Sequence, residues 1–381
     1  MITKSRKLKN KIHFQNIDGL RFFCFLSVFF FHSFHTNYEE IKSSSFYYFI
    51  KFDLFGNGNL GVNFFFVLSG FLITFLLIKE KELNEKINIK KFWIRRILRI
   101  WPLYFFCVFF GFVIFPFLKK LFGQIPNETA NPWYYIGLIN NFDFIKKGPP
   151  DASILGVLWS VAIEEQFYFI WPLILHIFPK KKYWIPFTLI IISSLFFRAR
   201  NDSYTMHEFH TLSCIGDMAT GAFGAWLITQ FEKFKNVIEY LKKILIVIIY
   251  SIFLLIYLFR NELFQGTYIT RIFEREFIAI VILLIILEQS YSKNSLFKMS
   301  NLKVPSKLGL ITYGCYCFQF IGILITINTT RILGINKNLW QTLLIDTPIS
   351  LIITIIISMI SYRFFETPFL NLKEKFTYIT K

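Results

Sequence analysis

Charge is scarce in this chain. Only 17% of its 381 residues are Asp, Glu, Lys or Arg, against 54% hydrophobic residues, and 50 residues are Phe. Mean hydropathy is +0.49. A soluble chain of this length carries more charge and does not repeat apolar runs of membrane-spanning length, so the shortage argues against a soluble globular enzyme. Cysteine is sparse as well. Cys24, Cys107, Cys214, Cys315 and Cys317 all fall inside apolar stretches, with no CxxC or metal-ligand spacing. Neither a disulfide framework nor a metal site is implied, and the five read as small hydrophobes. The first apolar stretch lacks a small-residue cleavage site and reads as a retained helix. No internal repeat and no shift in composition marks a second domain.

What remains is a set of long apolar runs. They predict an all-α, polytopic transmembrane bundle of about ten spans, near 19–36, 60–78, 101–118, 156–178, 184–197, 209–228, 244–259, 273–290, 309–327 and 342–361. The fifth is short, and Pro116 interrupts the third. The net charge of +18 suggests nucleic acid only until its distribution is read. Lys4, Arg6, Lys7, Lys9 and Lys11 precede the first span; Lys79 to Arg99, Lys180–Lys182, Lys233 to Lys243, Lys293 to Lys307 and the tail to Lys381 follow on alternate segments. By the positive-inside rule both termini are cytoplasmic, and membrane orientation explains the charge without nucleic acid. The segments 37–59 and 119–155 become outer loops, the second partly folded onto the membrane surface.

Against this apolar background a few polar residues stand out. Arg21 and His32 are eleven residues apart in the first span, close to three helical turns and roughly 16 Å along the axis. Asp18 and His35 extend the same face. A stripe of ionisable groups along a membrane helix is costly and marks a pathway or reactive site, unless its ends are merely interfacial. Asn63, near the outer end of the second span, should lie at the depth of His32 and orient its imidazole. Ser69-Gly70 reads first as a close-packing pair. Glu164 and Glu165 sit mid-span and point about 100° apart, so one should face a cavity and the other a structural partner. Glu165 is favoured for the cavity, because Glu164 shares its face with Ser160. Arg95, Arg96 and Arg99 form a cationic edge at the entry of the third span, suited to phosphate or to simple anchoring on anionic lipid. Asp217 needs a buried partner, whereas His207 and His210 read as loop residues.

These stretches together resemble the membrane acyltransferase-3 family of polytopic O-acyltransferases. The resemblance rests on Ile17-Asp18-Gly19-Leu20-Arg21 with His32, Gly61 to Thr74, Arg95 to Tyr104, Leu158 to Leu173, and Ser361 to Phe369. It implies transfer of an acyl group, usually acetyl, from cytoplasmic acyl-CoA to a hydroxyl of an extracytoplasmic or lipid-linked saccharide, with no permanently bound cofactor. By that resemblance His32, Arg21, Glu164, Glu165, Asn63 and Asp18 are the catalytic set, with Arg95, Arg96, Arg99 and Tyr104 at the acyl-CoA. His32 acts as general base or as a transient acyl carrier, supported by one of the two glutamates. Asn63 stands where Asp is frequent in the family, so it can hold an imidazole but cannot neutralise an imidazolium. Many relatives carry a C-terminal soluble esterase-like domain; here the expectation is a single integral-membrane domain over 1–381 without one, in a bacterial cytoplasmic membrane. The competing function class is a transporter of a lipid-linked saccharide or a proton-coupled solute, which buried ionisable groups would serve equally well. The absence of a repeat and the arginine cluster at one mouth only weigh against it.

Overall fold

The computed structural model describes residues 14–377, and among these there is no β-strand. Lys4, Arg6, Lys7, Lys9, Lys11 and Lys381 lie outside the described residues. Helices lie over each of the apolar stretches: α1 Gln15–Phe31, α2 Leu60–Asn84, α3 Ile89–Phe109, α4 Leu158–Ile177, α5 Trp184–Arg200, α6 Thr211–Gln230, α7 Lys243–Phe264, α8 Tyr268–Tyr291, α9 Thr312–Leu333 and α10 Thr347–Ser361. Among the described residues, six helical segments are long and apolar enough to cross a membrane, those containing α2, α3, α4, α7, α9 and α10. The other four differ for visible reasons. Helices α1 and α5 have only 17 residues each. Helix α6 is rich in small and polar residues, and α8 carries Arg271, Glu274, Arg275 and Glu276 near its start.

Pro116 does not interrupt the third span. The helix widens into a π turn at Phe110–Ile114 and continues to Leu121. Proline lacks an N–H and crowds the carbonyl four residues back, and a widened turn removes both conflicts. The same device recurs at Thr342–Asp346 before Pro348 and at Tyr362–Glu366 before Pro368. There the threonine preceding each proline donates its hydroxyl back to the start of the π turn, Thr347 to the Thr342 carbonyl at 3.1 Å and Thr367 to the Tyr362 carbonyl at 2.6 Å.

Helices α2 and α6 form the centre. They touch backbone to backbone: a Cβ at Gly70 would stand 1.9 Å from the Met218 carbonyl oxygen, and one at Gly221 2.0 Å from that of Val67. Small residues permit such an approach between apolar helices that have no hydrophobic force of their own inside lipid. At the periphery, Phe109, Val113 and Phe117 of the third span, Leu254 and Leu255 of α7 and Ile352 of α10 are exposed, an apolar surface suited to acyl chains.

The first span is shorter than expected. Helix α1 ends at Phe31, His32 is its C-cap, and Phe34 takes a left-handed backbone (φ 63°). The turn is pinned from outside, since the Phe34 carbonyl accepts from the Tyr47 hydroxyl at 2.7 Å and from Lys51 at 3.3 Å. The expected stripe is therefore broken beyond His32, and His35 is exposed on the turn. The segment 119–155 folds into short helices, Pro132–Ile136, Asn140–Lys147 and Ser153–Gly156. It is tied down by a Lys119–Asp151 ion pair at 2.8 Å and by Glu128, which accepts the Ala152 N–H at 2.9 Å.

Candidate active site

A cavity of about 220 Å³ opens among α1, α2, α3, α4 and α9. Its lining on α2 runs from Val62 to Leu76, fourteen residues apart and about 20 Å along the axis. Charge is concentrated at the end near the Arg95–Arg99 turn, where Asp18, Arg21, Arg96 and Arg99 line the wall. Midway come Ser69, Glu164 and Tyr168, and at the far end Ser160 and Tyr316.

Each charged group has a distinct setting. Arg21 donates to Asp18 at 2.8 Å, one helical turn back. Arg96 lies against the Phe92 and Tyr168 rings, 5.5 and 5.3 Å from their centroids, and its Nε is buried without a hydrogen-bond partner. Arg99 makes no ion pair among the described residues. Glu164 spends its oxygens on neutral donors, the Ser69 hydroxyl at 2.8 Å and the Tyr168 hydroxyl at 3.0 Å. Three guanidinium groups thus face two carboxylates, and two of the three have no carboxylate of their own. A low-dielectric wall with surplus guanidinium charge attracts an anion, and a guanidinium fork matches phosphate oxygens.

Several expectations are corrected. Glu164, not Glu165, lines the cavity, because the face shared with Ser160 is the cavity face. Glu165 turns to the third span and accepts from Trp101 Nε1 at 2.7 Å. Asn63 does not hold His32; its amide donates to Asp217 at 3.2 Å, since it faces α6. Ser69 is more than a packing residue, although its neighbour Gly70 is one. Arg95 is separated from the cavity by its own ion pair with Glu80 at 2.8 Å and a bond to the Phe376 carbonyl at 3.0 Å. Tyr104 is fully buried further along the span, donating to the Tyr135 carbonyl at 2.8 Å and sharing Asn140 at 3.0 Å, which makes it an anchor of the 119–155 segment. His32 sits beyond the far end of the cavity, against the Phe31 and Phe320 rings at 5.0 and 4.8 Å between centroids. Phe320 is one turn past Tyr316, which lines the cavity.

The sequence reading missed a second assembly. Asp217 is met by Arg275 at 2.9 Å, Arg260 by Glu208 at 2.7 Å and Glu274 at 2.5 Å, and Arg198 lies 3.7 Å from Glu274. All six are buried. His207 joins it through Nε2, 3.1 Å from the Arg198 carbonyl. His210 caps α6 by accepting the Leu212 N–H at 3.1 Å. Among the described residues no group of His, Cys, Asp and Glu has the arrangement of a metal site.

The chain belongs to the acyltransferase-3 family: residues 14–363 match its acyltransferase domain. It is 30% identical to the peptidoglycan O-acetyltransferase OatA of Listeria monocytogenes, over 93% of this chain and 55% of that protein. It is 27% identical to the O-acetyltransferase OatA of Staphylococcus aureus, over 95% of this chain and 58% of that protein. A shorter match, 32% identical, covers 44% of this chain and 25% of the putative peptidoglycan O-acetyltransferase YrhL of Bacillus subtilis. The chain thus spans little more than half the length of the relatives it matches throughout. No solved structure is detectably similar.

Proposed function

We propose that the protein is an integral-membrane O-acyltransferase that moves an acyl group, acetyl in the first instance, from acyl-CoA to a saccharide hydroxyl. The observation that carries this reading is the polarised cavity, with surplus guanidinium charge at one end and a run of about 20 Å toward the end where His32 lies. In this reading all ten helices cross the cytoplasmic membrane of a bacterium, α1 and α5 although short, and α6 and α8 although they carry polar and charged residues. Both termini are cytoplasmic, which puts Arg96 and Arg99 at the acyl-CoA pool.

CoA phosphates sit against Arg96 and Arg99, and Arg21, held by Asp18, completes the positive mouth. The pantetheine arm threads the apolar wall between α2 and α9. The hydroxyl oxygen of the acceptor attacks the thioester carbon, the C–S bond breaks, and His32 takes the hydroxyl proton and passes it to the departing thiolate. In the stepwise variant the imidazole carries the acyl group between the two bond changes. Relatives named for peptidoglycan make that glycan the first acceptor to test.

The experiment is transfer of labelled acetyl from acetyl-CoA to cell-wall oligosaccharide by the purified protein in proteoliposomes. Wild type should transfer; His32→Ala should insert normally and transfer nothing. Label appearing on enzyme without acceptor would select the stepwise variant. Transfer by His32→Ala at the wild-type rate would remove the histidine from the chemistry. Saccharide uptake into the vesicles with no acyl chemistry would favour the transporter reading instead.

A further inference from the structure

We infer that a second cavity, at the His32 end of the bundle, seats a neutral, polyhydroxylated sugar unit, the acceptor of the proposed reaction; the choice of ligand rests on that acyl-transfer reading. The cavity measures about 300 Å³. Asp202, Tyr204, Asn261 and Gln265 are exposed at its mouth, while Glu208, Arg260 and Glu274 are buried at its floor.

The charges favour a neutral ligand over an ionic one. Every charged side chain in the lining already has an opposite partner: Arg271 with Asp202 at 2.7 Å, Arg260 with Glu208 at 2.7 Å and with Glu274 at 2.5 Å. An ion entering here competes with these pairs, and a neutral polyol does not. Amides and a phenol both donate and accept, which matches the mixed donor and acceptor pattern of sugar hydroxyls. One spare donor is also present, since Arg271 Nε is buried with no hydrogen-bond partner. Part of the wall is fixed in advance: the Asn57 amide donates to the Tyr257 carbonyl at 3.0 Å, and Asn59 accepts from Arg260 at 3.3 Å.

The cavity is also in the right place. Phe31 lines it, and the Phe31 ring meets the His32 imidazole edge-on, 5.0 Å between centroids. Asn59 lines this cavity and Val62 the polarised one; three residues of helix separate them, about 5 Å along the axis. Phe31 and Asn59 thus bring the wall of the second cavity next to the imidazole and to the far end of the first.

The test uses the full chain in nanodiscs and a neutral β-1,4-linked N-acetylglucosamine tetrasaccharide as probe, with binding read by calorimetry apart from transfer. Wild type should bind it. The double variant Asn261→Ala/Gln265→Ala should weaken binding and raise the saccharide KM about tenfold, the loss of one to two hydrogen bonds. Gln265→Trp should block the mouth to a similar degree, and a thermal midpoint at the wild-type value identifies a folded variant. Failure of wild type to bind the tetrasaccharide overturns the inference. So does binding by both folded variants at wild-type affinity; if these also transfer acetyl normally, acyl transfer stands and only the location falls. Binding that weakens as expected, in a protein that never transfers acetyl, keeps the sugar site and defeats the acyl-transfer reading.

Discussion

Two arginine triads occupy this bundle, and they are built differently. Arg198, Arg260 and Arg275 are matched by Glu208, Glu274 and Asp217, all six buried and tied by contacts of 2.5 to 3.7 Å. Arg21, Arg96 and Arg99 share the cavity wall with Asp18 and Glu164 alone among carboxylates, Glu164 is occupied by hydroxyls, and Glu165 and Glu366 act on Arg96 and Arg99 only from outside ion-pair distance. The matched triad is closed: its charges satisfy one another and fasten α5, α6, α7 and α8 together. The unmatched triad is open, holding positive charge that the protein itself does not neutralise. Inside an apolar bundle that surplus has a stability cost, so its persistence is the mark of a binding site.

The largest test of the contrast is to remove one partner from the closed triad. Asp217→Ala strands Arg275, whose guanidinium is then left with Glu208 at 3.7 Å as its carboxylate and the His207 carbonyl at 3.5 Å. The expected loss is about 3–5 kcal/mol, enough to cut membrane yield and lower the thermal midpoint sharply. An Asp217→Ala protein with the wild-type midpoint would show that this assembly is not what holds the helices.

Removing charge from the open triad should do the opposite. Arg96→Gln and Arg99→Gln should each weaken acyl-CoA binding by about 1.5–3 kcal/mol, roughly ten- to a hundredfold, with no loss of thermal stability. Arg95→Gln is the internal control. It breaks the pair with Glu80, whose Oε1 also holds the Asn88 N–H at 2.9 Å across the turn between α2 and α3. Its effect should fall on stability and leave acyl-CoA affinity nearly intact. If all three variants shift donor affinity equally, the distinction between paired and unpaired arginines has no functional content.

The two glutamates repeat the contrast on a smaller scale. Glu164→Gln should reduce transfer at normal yield, because Glu164 lines the cavity and orders Ser69 and Tyr168. Glu165→Gln keeps an acceptor for Trp101 Nε1 and should leave transfer close to wild type, with a stability change of about 1 kcal/mol or less. Turnover and thermal midpoint measured on both variants would reveal a reversed pattern.

How much of this was legible in the sequence follows from where each charge falls. Arg21, Arg96, Arg99 and Glu164 were readable because they interrupt or border apolar runs with no nearby compensation. The helices were readable from the runs themselves. The closed triad was not: Arg198 and Arg260 fall just beyond the ends expected for the fifth and seventh spans, Glu208 lies between spans, and Glu274 and Arg275 open the eighth. A charge at a span end reads as interfacial, where it is cheap, and nothing in one dimension shows that these ends converge. The same blindness explains Asn63, which sequence depth paired with His32 and packing paired with Asp217. It explains Glu165 too, because helical spacing shows that two adjacent residues diverge but not which of them meets the cavity.

The smallest expected effect belongs to an ion pair that is neither buried nor in the cavity. Lys119 donates to both Asp151 oxygens at 2.8 Å, closing the base of the 119–155 segment. Burial alone would raise the Asp151 carboxyl, but the Lys119 ammonium bonded to it and the Asn127 N–H outweigh burial and hold it below the ordinary carboxylate range. A carboxyl depressed in the folded state stabilises the protein above its unfolded pKa, and that contribution is lost as pH falls through the folded one. Because the pair is partly open to solvent, the gain at neutral pH should be at most about 1 kcal/mol. Asp151→Asn, which keeps an acceptor oxygen, should therefore lower the thermal midpoint slightly at pH 7 and approach wild type only at a pH below the depressed folded value, further into acid than the ordinary carboxylate range. A gap of equal size at both pH values would mean that the residue acts through its hydrogen bonds to the loop backbone and not through its charge. The pair would then belong with neither triad.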